Sequence, residues 1–319
     1  MVSGKQVKLY LVDGTPGGLL TAEIMGWTGH VLKGGRDKLG EIRRRREAQR
    51  TGVYILLGDD PESVGSRLAY VGQSDNVGNR LAQHDARKAF WTEVVIVTSK
   101  DENLTSAHAR YLESRLFRLA KSIGRVPLAN GNEPTGGADL SESDAAYMDT
   151  FVDELRIVLP VLGVDLFRGR ESSGARTGID PVASRRSSWQ AGVADQTSTS
   201  PIFKLQLKRL GVDARAQVID GEFTVLAGST ISAHMRPSSG KSQGNARNFT
   251  GRSVVHARVM TEATIVPPGT LATLVRDVVF TSPSAAAAVV QGKATANGRS
   301  DWATDAGLRY ADWENRDVE

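Results

Sequence analysis

Gly52-Val53-Tyr54-Ile55-Leu56-Leu57 and, beyond a turn, Leu68-Ala69-Tyr70-Val71-Gly72 decide the fold of the first half of this chain. Both runs are rich in β-branched and aromatic residues, and Gly58-Asp59-Asp60-Pro61 between them is a turn signal. Together they predict a β-hairpin. Asp75 or Ser74 is placed to cap a helix running to about Ala86. Thr92 to Thr98 reads as a further strand and Thr105 to Lys121 as a helix. Ser141, with Asp144 three residues on, fits a capping box that opens a helix ending near Pro160. Upstream, Val7 to Val12 alternates in polarity as a strand does, and Leu39 to Gln49 suits a short basic helix. Strands and helices of this kind make the fold class α+β.

Gly52-Val53-Tyr54 and Tyr70-Val71-Gly72 resemble the two signature tripeptides of the GIY-YIG nuclease family, with Val53 in place of a middle isoleucine. The likeness continues in order over residues 50–135: a helix with Arg80 and His84, a strand, a helix with Glu113, then Asn130 in a loop. The resemblance implies a small β-sheet flanked by helices and an endonuclease that uses Mg²⁺ (or Mn²⁺) to hydrolyse phosphodiester bonds in nucleic acid, with DNA favoured. It implies that Glu113 holds the metal and that Arg80 stabilises charge at phosphorus. Tyr54, helped by Tyr70 or His84, would position or deprotonate the attacking water. Asn130 would support the backbone of the site or the substrate.

The residue types make sense without the family. Arg80 and His84 stand at i and i+4 on one helix face, where both can reach one phosphate. Arginine can fork two donors onto phosphate oxygens. Glu113 falls on a helical column with Ala109, Leu116, Phe117 and Ala120, while Arg110, Ser114, Arg118 and Lys121 form a separate polar face. A carboxylate among apolar neighbours is costly unless it is paired or binds a cation. The competing bland readings are a salt bridge from Glu113 to Arg80 and plain strand packing for the tyrosines. Asn132 is spaced as well as Asn130, and both could simply shape the turn at Gly131. His108 lies off the Glu113 face and reads as surface.

Composition narrows the chemistry. The 319 residues contain no cysteine and only five histidines, which removes disulfides, thiolate catalysis and Cys- or multi-His metal cages. Any metal should therefore be a hard cation held by oxygen. Lys plus Arg number 40 against 36 Asp plus Glu, a net charge of +4 that permits nucleic-acid binding without requiring it. Arg43-Arg44-Arg45-Arg46 concentrates that charge. It reads either as a solvated helix face or as a set of phosphate contacts. No apolar run reaches membrane-spanning length and the start lacks a signal-peptide core, so a cytoplasmic protein with no membrane partner is expected.

Composition also divides the chain. A nuclease-like domain is expected over 1–165 and a flexible linker, rich in Arg, Ser, Gly, Thr and Asp, over 166–200. A smaller mixed α/β domain is expected over 201–319. There, Val218 to Leu226 reads as strand–turn–strand around Asp220-Gly221, and Pro283 after Ser282 opens a helix. Its Ser282-Pro283-Ser284-Ala285 … Asn297-Gly298 … Trp302 text resembles a domain of unknown function that often follows GIY-YIG modules. No residue set in it has a catalytic spacing, so a binding or targeting role is expected, with Trp302 in the core. The alternative for the whole chain is a non-catalytic nucleic-acid-binding protein on a GIY-YIG fold.

Overall fold

In the computed structural model, residues 4–61, 66–134, 140–171, 200–236 and 243–316 are described, and most of the expected linker, 172–199, lies outside them. The chain divides into two units, Met1–Glu171 and Ser172–Glu319. Each has its own antiparallel sheet and helices, an α+β arrangement.

The first unit holds β1 (Val7–Leu11), β2 (Leu20–Ile24), β3 (Gly29–Gly35), β4 (Gly52–Asp59), β5 (Arg67–Ser74) and β6 (Trp91–Ser99), in the order β1-β2-β3-β6-β4-β5. Its helices are α1 (Leu39–Arg44), α2 (Val77–Arg87), α3 (Ser106–Ile123) and α4 (Glu142–Val161). Alternation along β4 supplies two cores. Val53, Ile55 and Leu57 join Leu112 and Leu116 of α3 and Leu155 of α4 on one face. Tyr54 and Leu56 join Ile42 of α1 and Val77 and Leu81 of α2 on the other.

Strands β2 and β3 were not expected from sequence, since Glu23, His30 and Lys33 interrupt their apolar pattern. Polar partners on neighbouring segments engage those positions: Lys100 to Glu23 at 2.9 Å, His30 to Glu47 at 3.3 Å and Lys33 to Glu93 at 3.6 Å. Context of this kind outweighs intrinsic β-propensity.

Three boundaries differ from expectation. The basic helix ends at Arg44, because Arg45 is extended (φ −78, ψ 148) and a 3₁₀ turn, Arg46–Gln49, follows. The cap of α2 is Asn76, whose Oδ1 accepts from the Asn79 N–H at 2.9 Å. Ser74 is engaged with the Asn76 backbone and Asp75 accepts from Ser106. Finally, Leu166 and Phe167, expected in the linker, are each 1% exposed in the core under α3 and α4. A boundary at 165 would cut that core. The far end of α2 is also fastened: Arg36 donates to the carbonyls of Asp85 (2.9 Å) and Lys88 (3.2 Å) and lies over the Trp91 ring. These are the carbonyls a helix end leaves unsatisfied.

The second unit holds β7 (Phe203–Leu207), β8 (Val212–Ile219), β9 (Glu222–Val225), β10 (Thr230–Ser232), β11 (Ala263–Val266), β12 (Leu271–Leu274) and β13 (Val278–Phe280). Their order is β11-β12-β10-β8-β9-β13, with β7 also paired to β8. The expected hairpin joins β8 to β9 through Asp220 (φ 50) and Gly221 (φ 78), the positive pair that a two-residue turn demands. The helices are α5 (Gln243–Met260), α6 (Pro283–Gln291), α7 (Gly298–Asp301) and α8 (Tyr310–Glu314). Phe203, Phe223, Ile231, Ala286, Trp302 and Tyr310 centre its core. Among the described residues no helix is long and apolar enough to cross a membrane.

Candidate active site

The site forms at the outer edge of β5. In a strand that pairs on one side only, alternate residues turn N–H and C=O outward and need partners. At Ala69 the segment after α3 supplies them: its N–H donates to the Pro127 carbonyl at 3.0 Å, and its carbonyl accepts from Ala129 at 2.7 Å. At Val71 a side chain does so. Asn130 Oδ1 accepts from the Val71 N–H at 3.1 Å, and Asn130 Nδ2 donates to the Val71 carbonyl at 2.8 Å. At Gln73 the outward N–H interacts with the Glu113 carboxylate. Asn130 is thus distinguished from Asn132 by a two-point clamp on the middle residue of Tyr70-Val71-Gly72.

Tyr54 and Gly72 are directly paired across β4 and β5, and Tyr70 pairs with Leu56. The Tyr54 hydroxyl lies over Gly72. A Cβ at that position would fall 2.4 Å from Tyr54 Oη and 2.9 Å from Tyr70 Cε1, so only glycine leaves room for both rings. Their centroids are 6.2 Å apart, with 27° between the ring planes.

Helix α2 brings His84 against both rings, with Nε2 2.7 Å from Tyr54 Oη. Burial, then the charges of Arg80, Lys88 and Arg87, press the imidazole down to about 4. It is therefore neutral near pH 7. Burial, and secondarily Tyr70, push the Tyr54 phenol up, while Arg80 acts against that shift. Proximity to Tyr54, then to Tyr70, raises Arg80 in turn. Arg80 is exposed, donates to Gln83 Oε1 at 3.0 Å and forms no ion pair with Glu113 among the described residues. The salt-bridge reading of Glu113 is therefore not what the structure contains.

Glu113 reaches the edge of β5 from α3, on the opposite face of the sheet from α2. It is half-buried on a column whose members Ala109, Leu116, Phe117 and Ala120 are buried. Burial raises its carboxyl, opposed by the Gln73 N–H and by Arg80. It lines an open cleft of about 510 Å³ with Tyr70, Gln73, Arg110 and Asn130. Ser114, expected on the polar face, is 3% exposed, because α3 packs against α4 as well as β5 and its buried sector is wider than one column. His108 is not idle surface: it completes the capping box of α3 with Thr105.

Sequence reading missed Gly72 as the space for the Tyr54 hydroxyl, and it missed Lys88. Lys88 Nζ lies 4.4 Å above the Tyr70 ring. The signal for Lys88 was its i+4 spacing from His84, itself i+4 from Arg80.

The basic run divides. Arg45 forks onto Glu47 at 2.7 and 3.1 Å. Burial works against the Glu47 charge, but His30 and Arg45 outweigh it and hold the carboxyl at about 2. Arg46 faces Glu102 at 3.7 Å, which Arg50 also engages. Arg43 and Arg44 are exposed, with no carboxylate partner among the described residues, and line a groove of about 570 Å³ beside the start of α2.

In the second unit the Ser282-Pro283-Ser284-Ala285 … Asn297-Gly298 … Trp302 text is a packing device. Ser282 caps α6 by accepting from the Ala285 N–H at 3.1 Å, and Ser284 Oγ accepts from the Gly298 N–H at 3.1 Å. Trp302, fully buried, donates from Nε1 to the Pro283 carbonyl at 3.1 Å. A Cβ on Gly298 would meet the Pro283 backbone at 2.1 Å. Each element of the text thus holds another. No curated protein and no solved structure matches the chain. One domain family does match in part: residues 203–314, the segment that contains this device, match a domain of unknown function, DUF4357.

Proposed function

We propose that this chain is a GIY-YIG-type, metal-dependent endonuclease that hydrolyses phosphodiester bonds in nucleic acid, with DNA favoured, and that residues 203–314 target it to its substrate. The observation that carries this reading is convergence at one sheet edge. Arg80 and the Tyr54–His84 pair come from one face, and Glu113 with the Asn130-clamped strand comes from the other.

The donor set suits a hard cation. Mg²⁺ keeps most of its waters and asks the protein for one or two carboxylates. Glu113 is a half-buried carboxylate that opens on a cleft and has no ion-pair partner among the described residues. When bound there, Mg²⁺ or Mn²⁺ would neutralise charge on the scissile phosphate and its leaving oxygen.

The chain's own groups do the rest. Arg80 donates to the non-bridging phosphate oxygens as charge builds on them. The Tyr54 hydroxyl gives its proton to His84 Nε2, so its oxygen can take one from the attacking water. As the water oxygen bonds to phosphorus and the bond from phosphorus to the leaving oxygen breaks, one proton moves from water to Tyr54 and another from Tyr54 to His84. The leaving oxygen takes its proton from solvent. Burial depresses His84 most, and a phosphate on Arg80 offsets the positive charge that adds to it, which strengthens that base where it is needed. Tyr70, held under Lys88, walls the cleft.

The test is incubation with labelled single- and double-stranded DNA and RNA, with Mg²⁺ or with EDTA. Metal-dependent cutting is expected. Glu113→Gln should retain binding with less than about a tenth of the rate, since losing such a group costs several kcal/mol. Arg80→Lys should also be severely impaired, because a point charge cannot reproduce the planar fork. A wild-type chain that binds but cuts nothing would favour the non-catalytic alternative, and Glu113→Gln at full rate would remove the metal role.

A further inference from the structure

The four arginines of residues 43–46 look equivalent in sequence, but their surroundings are not. We propose that Arg43 and Arg44, and neither Arg45 nor Arg46, hold a phosphate of the bound nucleic-acid strand in the groove between α1 and the start of α2, two or three nucleotides from the scissile bond. This deepens the nuclease reading and rests on it for the position of the scissile bond.

The groove is lined by Arg43, Arg44, Gln49, Asn76, Gly78 and Asn79, and no carboxylate lines it. Arg45 is committed to Glu47, a carboxylate only 12% exposed whose charge also depends on His30. Arg46 is turned toward Glu102 and Arg50 and does not line the groove. Gly78 lets α2 approach the 3₁₀ turn that follows α1, since a Cβ there would stand 3.2 Å from the Ala48 carbonyl. The groove therefore holds two cations with no carboxylate partner among the described residues, together with side-chain amides, backed by the positive end of an eleven-residue helix.

Helix α2 connects this groove to the site. Gly78 and Asn79 line the groove, while Arg80 and His84 lie further along the same helix. At a rise of about 1.5 Å per residue, Gly78 to His84 spans about 9 Å. A strand advances roughly 3.4 Å per nucleotide, so that span corresponds to two or three nucleotides. The groove is open to water, where a lone phosphate gains little from exposed arginines. A strand already held at Arg80 and Glu113 reaches it without a second association cost.

The experiment uses the full chain carrying Glu113→Gln and a short labelled DNA duplex, titrated over a salt series. Arg43→Ala with Arg44→Ala should flatten the log–log salt slope by about one unit, because the pair shares one phosphate and each lost phosphate contact removes roughly 0.9. Arg45→Ala with Arg46→Ala should leave the slope unchanged. Should loss of the Glu47 partner impair folding, Arg46→Ala alone carries the comparison, because that side chain is 83% exposed. Equal flattening by both pairs, or none from the first, overturns the proposal. Inorganic phosphate at constant ionic strength should produce no saturable change. A saturable change lost with Arg43 and Arg44 would mean a free-phosphate site and overturn the strand reading. A methylphosphonate placed two or three nucleotides from the cut should reproduce the Arg43/Arg44 loss and add nothing to it, and loss at other positions alone overturns the placement. If the wild-type chain cuts nothing yet the slopes divide as stated, the nuclease reading fails and the groove remains.

Discussion

The Tyr54 hydroxyl stands 2.7 Å from His84 Nε2 and directly over Gly72, where a Cβ would lie 2.4 Å from it. A strand glycine, a buried phenol and a helix histidine are thus one unit. Each fixes the position of the next.

Gly72→Ala tests that unit. The added methyl must push Tyr54 or Tyr70 aside, and overpacking of this kind costs about 1–3 kcal/mol of stability. Displacing the hydroxyl should lower the single-turnover rate by well over tenfold in protein that still folds. Denaturant melts beside cleavage rates measure both. A folded variant with a wild-type rate would mean that the hydroxyl's place over Gly72 does not matter to the chemistry.

The asparagines should separate. Asn130→Ala leaves both the N–H and the carbonyl of Val71 without their partner, so it should cost about 1–3 kcal/mol and displace the edge of the cleft. Asn132→Ala should stay within about 0.5 kcal/mol of wild type. Chemical denaturation of the two variants decides the matter, and equal effects would remove the distinction drawn here.

The His84 imidazole should titrate near pH 4, with its neutral form retained far below the ordinary value of 6.5. Between those values an unfolded chain takes up a proton that the folded chain refuses, so stability should fall as pH drops from about 6.5 toward 4. His84→Gln should flatten the pH dependence in that window. Imidazole proton resonances followed through a pH titration give the midpoint, and a midpoint at 6 or above would contradict the geometry.

Residues 1–171 should fold alone and, on the nuclease reading, retain metal-dependent cutting with weaker substrate binding, because every proposed chemical group and a complete core lie within them. Ending the chain after Asp165 instead removes Leu166 and Phe167, both 1% exposed. Losing two such side chains should cost several kcal/mol. Thermal melts of the two truncations should differ by many degrees, and equal melting would mean the core ends earlier than Leu166.

The β4–β5 hairpin, α2, β6, α3 and α4 were legible in the sequence, because turn residues and the periods of strand and helix are local properties. Tyr54, Tyr70, Arg80, His84, Glu113 and Asn130 could be picked out in order as candidates, and the motif ending at Trp302 lies in the matched domain. What the local text could not carry depended on residues far apart in the chain. Strands β2 and β3 needed Lys100, Glu47 and Glu93 as partners for their polar positions. The choice of Asn130 over Asn132 depended on which side chain meets the outward edge of Val71. The division of Arg43 and Arg44 from Arg45 and Arg46 depended on Glu47 and Glu102. Periodicity says which face a residue occupies. Only the folded chain says what stands opposite, and that partner determines whether a charge is free to meet a phosphate.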